Sequence, residues 1–162
     1  MIEQRKGTYA AVKYDETTCE ILSAWLKLWK IPNPIKQEDF HTTIIYSRVP
    51  IPVENQLNAD AIELKSRGWR FTPKELALFK SSAASDSTDV LVMILHAPEL
   101  VNLHQTLREH GATHDFDKYE PHVTLSYEVT EEFDWKRIVL PPVYFIPARI
   151  YFEPLDVNWK ES

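Results

Sequence analysis

The chain has 162 residues, 44% of them hydrophobic, with a formal net charge of −6 and a pI near 5.5. That size and apolar content fit one domain spanning residues 1–162 with a real core, while the acidic balance argues against a protein that holds long DNA or RNA. Nothing reads as a membrane span or a secretory stretch, and the lone Cys19 cannot close an internal disulfide, which fits a reducing compartment.

In chain order, Thr8 to Tyr14 reads as a first strand. Thr17 and Glu20 form a candidate capping box, and Ile21, Leu22, Trp25, Leu28 and Trp29 follow at helical spacing. That helix should stop near Lys30, because Pro32 and Pro34 cannot continue it. Residues 41–46 form a second strand, closed by Pro50 and Pro52. Ala59 to Trp69, Leu76 to Lys80 and Asp89 to Leu95 read as three more strands, with Ser81 to Ser87 as a hairpin tip. Pro98 opens a second helix with Leu100, Leu103 and Leu107 on one side, and Gly111 closes it. After a polar loop over 113–120 come a strand from His122 and, beyond Pro141-Pro142, a last strand over 143–152 and a polar tail. The order predicts an α+β fold of mostly antiparallel strands. Strand, helix, strand occurs twice, which predicts two pseudo-symmetric lobes facing each other across a cleft.

The repeat carries a chemical signature. Residues 41–46 read His-Thr-Thr-Ile-Ile-Tyr and residues 122–127 read His-Val-Thr-Leu-Ser-Tyr, so each is a His-x-Thr-apolar-x-Tyr string. In a strand, side chains at i and i+2 share a face. Two such strands side by side aim His41, Thr43, His122 and Thr124 at one small volume. A phosphate ester about to be cleaved needs that set: a base, an acid, and donors for its oxygens. Histidine titrates near neutrality, so one copy can be neutral while the other is protonated. Which of the two is the base is left open by the residues themselves. Two histidines are too few for a structural zinc site, and the nearby His114, Asp115 and Asp117 read as a solvated loop, so no metal or other cofactor is expected.

The paired motifs resemble the two-histidine (2H) phosphoesterase superfamily, and the N-terminal MIEQRKGTYAAVKY and the string KYEPHVTLSY are similar to the bacteriophage anti-CBASS nucleases within it. The resemblance implies a bilobal 2H-phosphoesterase-like fold with outer helices. It also implies a metal-independent enzyme that cuts 3′–5′ bonds of the cyclic di- and trinucleotides bacteria use to signal phage infection, with the host bacterial cytoplasm as its place of action. No long nucleic acid or membrane is expected as a partner.

Such a ligand needs aromatic faces and a few polar groups. Tyr9 lies on the first strand, sharing a face with Ala11 and Lys13, and Trp159 stands in the tail; both are candidate stacking residues. Glu153 is a candidate acceptor for an adenine amino group and Lys118 a candidate phosphate contact, with Trp69 a weaker platform. Two alternatives keep parts of this reading. One is a 2′,3′-cyclic phosphodiesterase acting on linear RNA ends, against which the acidic charge counts mildly. The other is a sponge that sequesters the cyclic nucleotide without cutting it, which has no use for proton-transfer groups.

Overall fold

A computed structural model describes residues 6–51, 58–80, 89–114 and 118–156. Among the described residues, six strands run in order β1 (Lys6–Tyr14), β2 (His41–Ser47), β3 (Thr72–Lys80), β4 (Asp89–His96), β5 (His122–Val129) and β6 (Pro147–Asp156). They form two antiparallel three-stranded sheets, β2-β1-β6 and β3-β4-β5. The helices are α1 (Glu16–Leu28) between β1 and β2, α2 (Ala59–Ser66), and α3 (Pro98–Glu109) between β4 and β5. Each motif strand is therefore the edge of its sheet, and β2 and β5 lie against each other where the sheets meet. Among the described residues, an apolar cluster joins the two halves, from Val12, Leu22 and Ile44 to Leu91, Leu107 and Leu125.

Both long helices end by the same device. At α1, Lys30 takes the left-handed conformation (φ 52°), its N–H reaches Lys27 O, and the Ile31 N–H reaches Leu26 O. At α3, Gly111 is left-handed (φ 102°), its N–H reaches Arg108 O, and the Ala112 N–H reaches Leu107 O. This is the Schellman pattern, closed in each case by a buried apolar residue, Ile31 or Ala112. At α1 the helix stops through this turn, before either proline is reached.

Five sequence expectations are corrected. The cap of α1 is Asp15, whose Oδ1 accepts from the Thr18 N–H at 2.8 Å, so Thr17 falls inside the first turn. The buried face is Thr18, Leu22, Trp25 and Leu26, while Ile21 and Leu28 are exposed. Thr18 holds a core position because its hydroxyl donates to Tyr144 O at 3.2 Å. Residues 59–66 are helix and not strand: Asn58 Oδ1 caps the Ala61 N–H, and the helix that follows is mostly exposed. Strand β3 starts at Thr72, ahead of the expected Leu76; Pro73 is tolerated because β3 is an edge and its pairing slips between Pro73 and Glu75. The last strand starts at Pro147, because residues 143–146 are spent on a bridge in which Phe71 and Phe145 exchange both backbone hydrogen bonds. The expected hairpin tip over 81–87 lies outside the described residues.

Candidate active site

The two motif strands are built alike to the level of single hydrogen bonds. On β2, His41 stands opposite Lys13, Thr42 opposite Val12 and Thr43 opposite Ala11. On β5, His122 stands opposite Ile94, Val123 opposite Met93 and Thr124 opposite Val92. The middle residue of each motif is fully buried, which leaves the histidine and threonine on the other face. Buried Thr42 satisfies its hydroxyl on the Tyr14 hydroxyl. His41 Nδ1 lies 2.8 Å from Asp39 O and His122 Nδ1 lies 2.9 Å from Glu120 O, in both cases the carbonyl two residues earlier. A carbonyl only accepts, so both Nδ1 atoms carry hydrogen. Each Nε2 is thereby fixed as the atom that gains or loses a proton.

His122 feels both its surroundings and the other imidazole. Burial pushes the pKa of His122 below the ordinary histidine value, and charge on His41 pushes the same way, while the Glu120 carbonyl opposes both. Phe79, at 5.0 Å and nearly perpendicular, forms part of the apolar wall that desolvates His122.

Beside His41 lies a cavity of about 260 Å³ lined by Tyr9, Lys13, Asp39, His41, Thr124, Tyr127 and Tyr151, among others. It draws on both motifs at once. The Tyr9 hydroxyl meets Thr43 Oγ1 at 3.1 Å, and burial raises its pKa well above the phenol value, so it stays a neutral hydroxyl. Tyr9 also packs on Tyr46 and Tyr151, with ring centres 6.2 and 6.1 Å away. Lys13 Nζ reaches Glu38 O at 3.3 Å. Arg149 stacks over Tyr151 at 5.0 Å.

Among the sequence candidates, His41, Thr124 and Tyr9 line this cavity, Thr43 joins them through the Tyr9 hydroxyl, and His122 is near enough to feel the charge of His41. Glu153 stands opposite Tyr9 in the β1–β6 register, exposed at the rim, near enough for its charge to raise the pKa of Tyr9 and Tyr151. Lys118 is an exposed side chain 3.4 Å from Glu120 in an ion pair, which absorbs the charge expected to meet phosphate. Trp69 lies elsewhere, in a second hollow between α2 and α3 and against Phe71. Trp159, Asp115 and Asp117 lie outside the described residues. Among the described residues, no three His, Cys, Asp or Glu side chains cluster as metal ligands do.

Sequence reasoning missed Lys13 and Tyr151 as cleft residues, although Lys13 shares the strand face of Tyr9. It also missed a clamp from the second lobe. The Tyr119 hydroxyl donates to Thr43 O at 2.7 Å, and His104 Nδ1 donates to Ile44 O at 2.8 Å. The two rings lie flat on each other, 4.1 Å apart and 4° from parallel. Burial lowers the pKa of His104, so it acts as a neutral donor.

Comparison with known proteins gives a consistent placement. The family model described as "Anti-CBASS protein Acb1" matches residues 6–162. The curated anti-CBASS protein Acb1 of Salmonella phage S16 is 36% identical over 96% of this chain and 93% of its own length. That of Enterobacteria phage T4 is 35% identical with the same two coverages. Among solved structures, Escherichia coli LigT complexed with ATP superposes with a TM-score of 0.55 at 16% identity, over 94% of this chain and 96% of that one. That last likeness concerns the fold, the α+β arrangement of two three-stranded antiparallel sheets described above.

Proposed function

The chain belongs to the anti-CBASS protein Acb1 family, and from that premise we propose that it cleaves the 3′–5′ bonds of cyclic di- and trinucleotides such as 3′,3′-cyclic GMP-AMP and cyclic tri-AMP. It is a phage anti-CBASS phosphodiesterase, acting within the infected bacterial host. The observation that carries the finer reading is the matched tethering of the two imidazoles: each is held through Nδ1 by the carbonyl two residues before it, leaving two Nε2 atoms for proton transfer beside two threonines.

The chemistry follows from those atoms. In the first step a neutral Nε2 takes the proton of a ribose 2′-hydroxyl, and that oxygen forms a bond to the adjacent phosphorus. The bond from phosphorus to the 5′-oxygen breaks, and the other imidazolium gives the departing oxygen its proton. The ring opens to a linear product ending in a 2′,3′-cyclic phosphate. His122 takes the base role in this step, because its buried ring sheds its proton more readily than a free histidine. His41 then serves as the acid. In the second step the roles reverse: His41 takes a proton from water, the water oxygen bonds to phosphorus, and His122 protonates the 2′-oxygen as the small ring opens. Thr43 and Thr124 donate hydrogen bonds to the non-bridging oxygens as charge develops there. The substrate-binding role falls to Tyr9, Glu153, Trp159 and Lys118. For Lys118 the contact requires its ion pair with Glu120 to open.

Incubation with cyclic GMP-AMP and cyclic tri-AMP in EDTA, followed by chromatography, tests the proposal. Linear products ending in cyclic phosphate, absent with His41→Ala or His122→Ala, are expected. Intact cyclic substrates together with cleaved linear RNA ends select the linear-RNA alternative. Tight binding with no product from wild type selects the sponge.

A further inference from the structure

Each motif ends in a tyrosine, Tyr46 or Tyr127, five residues after its histidine, and the chemistry above uses neither. Five is an odd offset. In an unbroken strand it turns the tyrosine to the face opposite the imidazole.

The structure reverses that parity in both lobes, at the same place. On β2 the pairing steps from Ala11–Thr43 to Ala10–Ile45, so Ile44 is an extra residue. On β5 it steps from Val92–Thr124 to Leu91–Ser126, so Leu125 is an extra residue. One added residue in a strand exchanges the faces of the residues that follow it, up to the next slip, which on β5 falls between Ser126 and Val129. The burial agrees, since two successive residues turn inward after each threonine: Ile44 and Ile45, and Leu125 and Ser126. Both tyrosines thereby come round to the cleft. Tyr46 packs edge-on against Tyr9, and Tyr127 lines the cavity with His41 and Thr124.

From there the two differ. Tyr46 is partly covered and backs Tyr9, whereas Tyr127 is 56% exposed. The cavity of about 260 Å³ falls at or below the lower end of ordinary ligand pockets. It has room for a phosphate and the sugar beside it, so the bases of a cyclic oligonucleotide must lie across the rim. On the first lobe, the rim offers Tyr9, Tyr151 and Glu153. On the second lobe, it offers Tyr127.

We propose that Tyr127 is a substrate-binding residue, the platform on which the second lobe stacks a nucleobase of the cyclic oligonucleotide. The proposal rests on the reading of the cleft as a cyclic-oligonucleotide site and adds to it a second base contact, opposite Tyr9 and Tyr151. A ring face is shared by all bases, so this contact holds cyclic di- and trinucleotides alike, while discrimination between bases is left to polar groups such as Glu153.

The test is steady-state kinetics on cyclic GMP-AMP, together with equilibrium binding of a 2-aminopurine-labelled cyclic dinucleotide to the His41→Ala protein. Tyr127→Ala is expected to weaken binding by about 5- to 150-fold, the effect of losing one base–aromatic stack. KM rises in step, kcat falls by much less, and the stacking-induced quenching of 2-aminopurine is lost. Tyr127→Phe restores both affinity and quenching, because it keeps the ring, and Tyr144→Ala, at another exposed tyrosine, leaves both in place. Wild-type affinity in Tyr127→Ala overturns the assignment, as does a Tyr127→Phe protein as weak as Tyr127→Ala, which makes the hydroxyl the contact. If wild type cleaves no cyclic oligonucleotide, it is the functional reading beneath that fails, and this separates the two.

Discussion

Tyr119→Phe asks whether one lobe positions Thr43, the proposed oxyanion donor of the other. The substitution removes a single oxygen. It keeps the ring that lies on His104 at 4.1 Å and deletes the 2.7 Å hydrogen bond to Thr43 O. A carbonyl left without a partner away from water costs about 1–3 kcal/mol. With a urea slope of about 2 kcal/mol per molar for a protein of this size, the unfolding midpoint should fall by roughly 0.5–1.5 M.

Stability alone does not test positioning, so the rate must be read as well. Thr43 presents Oγ1 to the cleft from the same residue whose carbonyl Tyr119 holds, and its other neighbour is the Tyr9 hydroxyl at 3.1 Å. Removing a donor that stabilises developing negative charge costs about 10²–10³ in kcat; loosening it costs less. A tenfold loss of kcat, about 1.4 kcal/mol, with KM within a factor of about three, is the expected size. The decisive measurement is a double-mutant cycle. On a Thr43→Val background Tyr119→Phe should slow the reaction no further, because a support with nothing left to support has no catalytic effect. Rate losses that simply multiply, or an unchanged kcat in a destabilised Tyr119→Phe protein, would refute positioning and leave Tyr119 a structural residue.

Three further outcomes follow from the same geometry. In kcat/KM against pH, the acidic limb reports the base that must be neutral; burial lowers His122, so activity should persist below pH 6.5 before it falls, and Phe79→Ala, which opens the ring to water, should move that limb upward. A limb that stays put rejects His122 as the base of the limiting step. Gly7→Ala should destabilise by about 1–3 kcal/mol or more in urea, because a Cβ there meets the Ser47 carbonyl oxygen at 1.9 Å and Arg48 Cα at 3.1 Å, all of it backbone that cannot swing aside; an unchanged midpoint contradicts the tight β1–β2 approach. Asp15→Ala should cost about 1 kcal/mol as the loss of the α1 cap, while Thr17→Ala stays within about 0.5 kcal/mol; the reverse order would restore the capping box read from sequence.

What the sequence made legible was whatever is written at short range with a strong period. Pro98, the leucines at 100, 103 and 107 and Gly111 mark α3 from start to stop. The paired motifs mark β2 and β5, and their repetition signals two lobes. Helix α2 was illegible because it buries only Ser66, and an exposed helix is under no pressure to show a 3.6-residue period. The cap of α1 was misread because Asp15 and Thr17 are both chemically fit for it, and only the extended backbone at Asp15 (φ −69°, ψ 165°) decides. The bulges left one trace, the paired apolar or small residues at 44–45 and 125–126, which break strand alternation at the same motif position. Tyr119 and His104 left none. Their partners are backbone carbonyls of another lobe, and a carbonyl has no letter of its own.

That last class of contact explains how two edge strands hold two imidazoles at a fixed separation. β2 and β5 belong to different sheets, so the register within either sheet leaves the gap between them undetermined. The segments that precede the motif strands set it, and they do so by exchange. The segment after α1, on its way to β2, crosses to β5: the Ile35 N–H donates to Leu125 O at 2.9 Å, Pro34 bridges Ser126, and Asn33 Nδ2 donates to Glu128 O at 3.0 Å. The segment after α3, on its way to β5, crosses to β2: Thr113 N–H donates to Ser47 Oγ at 3.0 Å, Thr113 Oγ1 accepts from Arg48 N–H at 2.8 Å, and Tyr119 holds Thr43 O. Both bulge carbonyls, Ile44 O and Leu125 O, are taken up in this way by donors from the opposite half, His104 and Ile35. An edge strand left open is a liability; here each lobe covers the other's edge with the segment that leads into its own motif. The left-handed turns at Lys30 and Gly111 launch those segments, so the distance between the two imidazoles traces back to how two helices end.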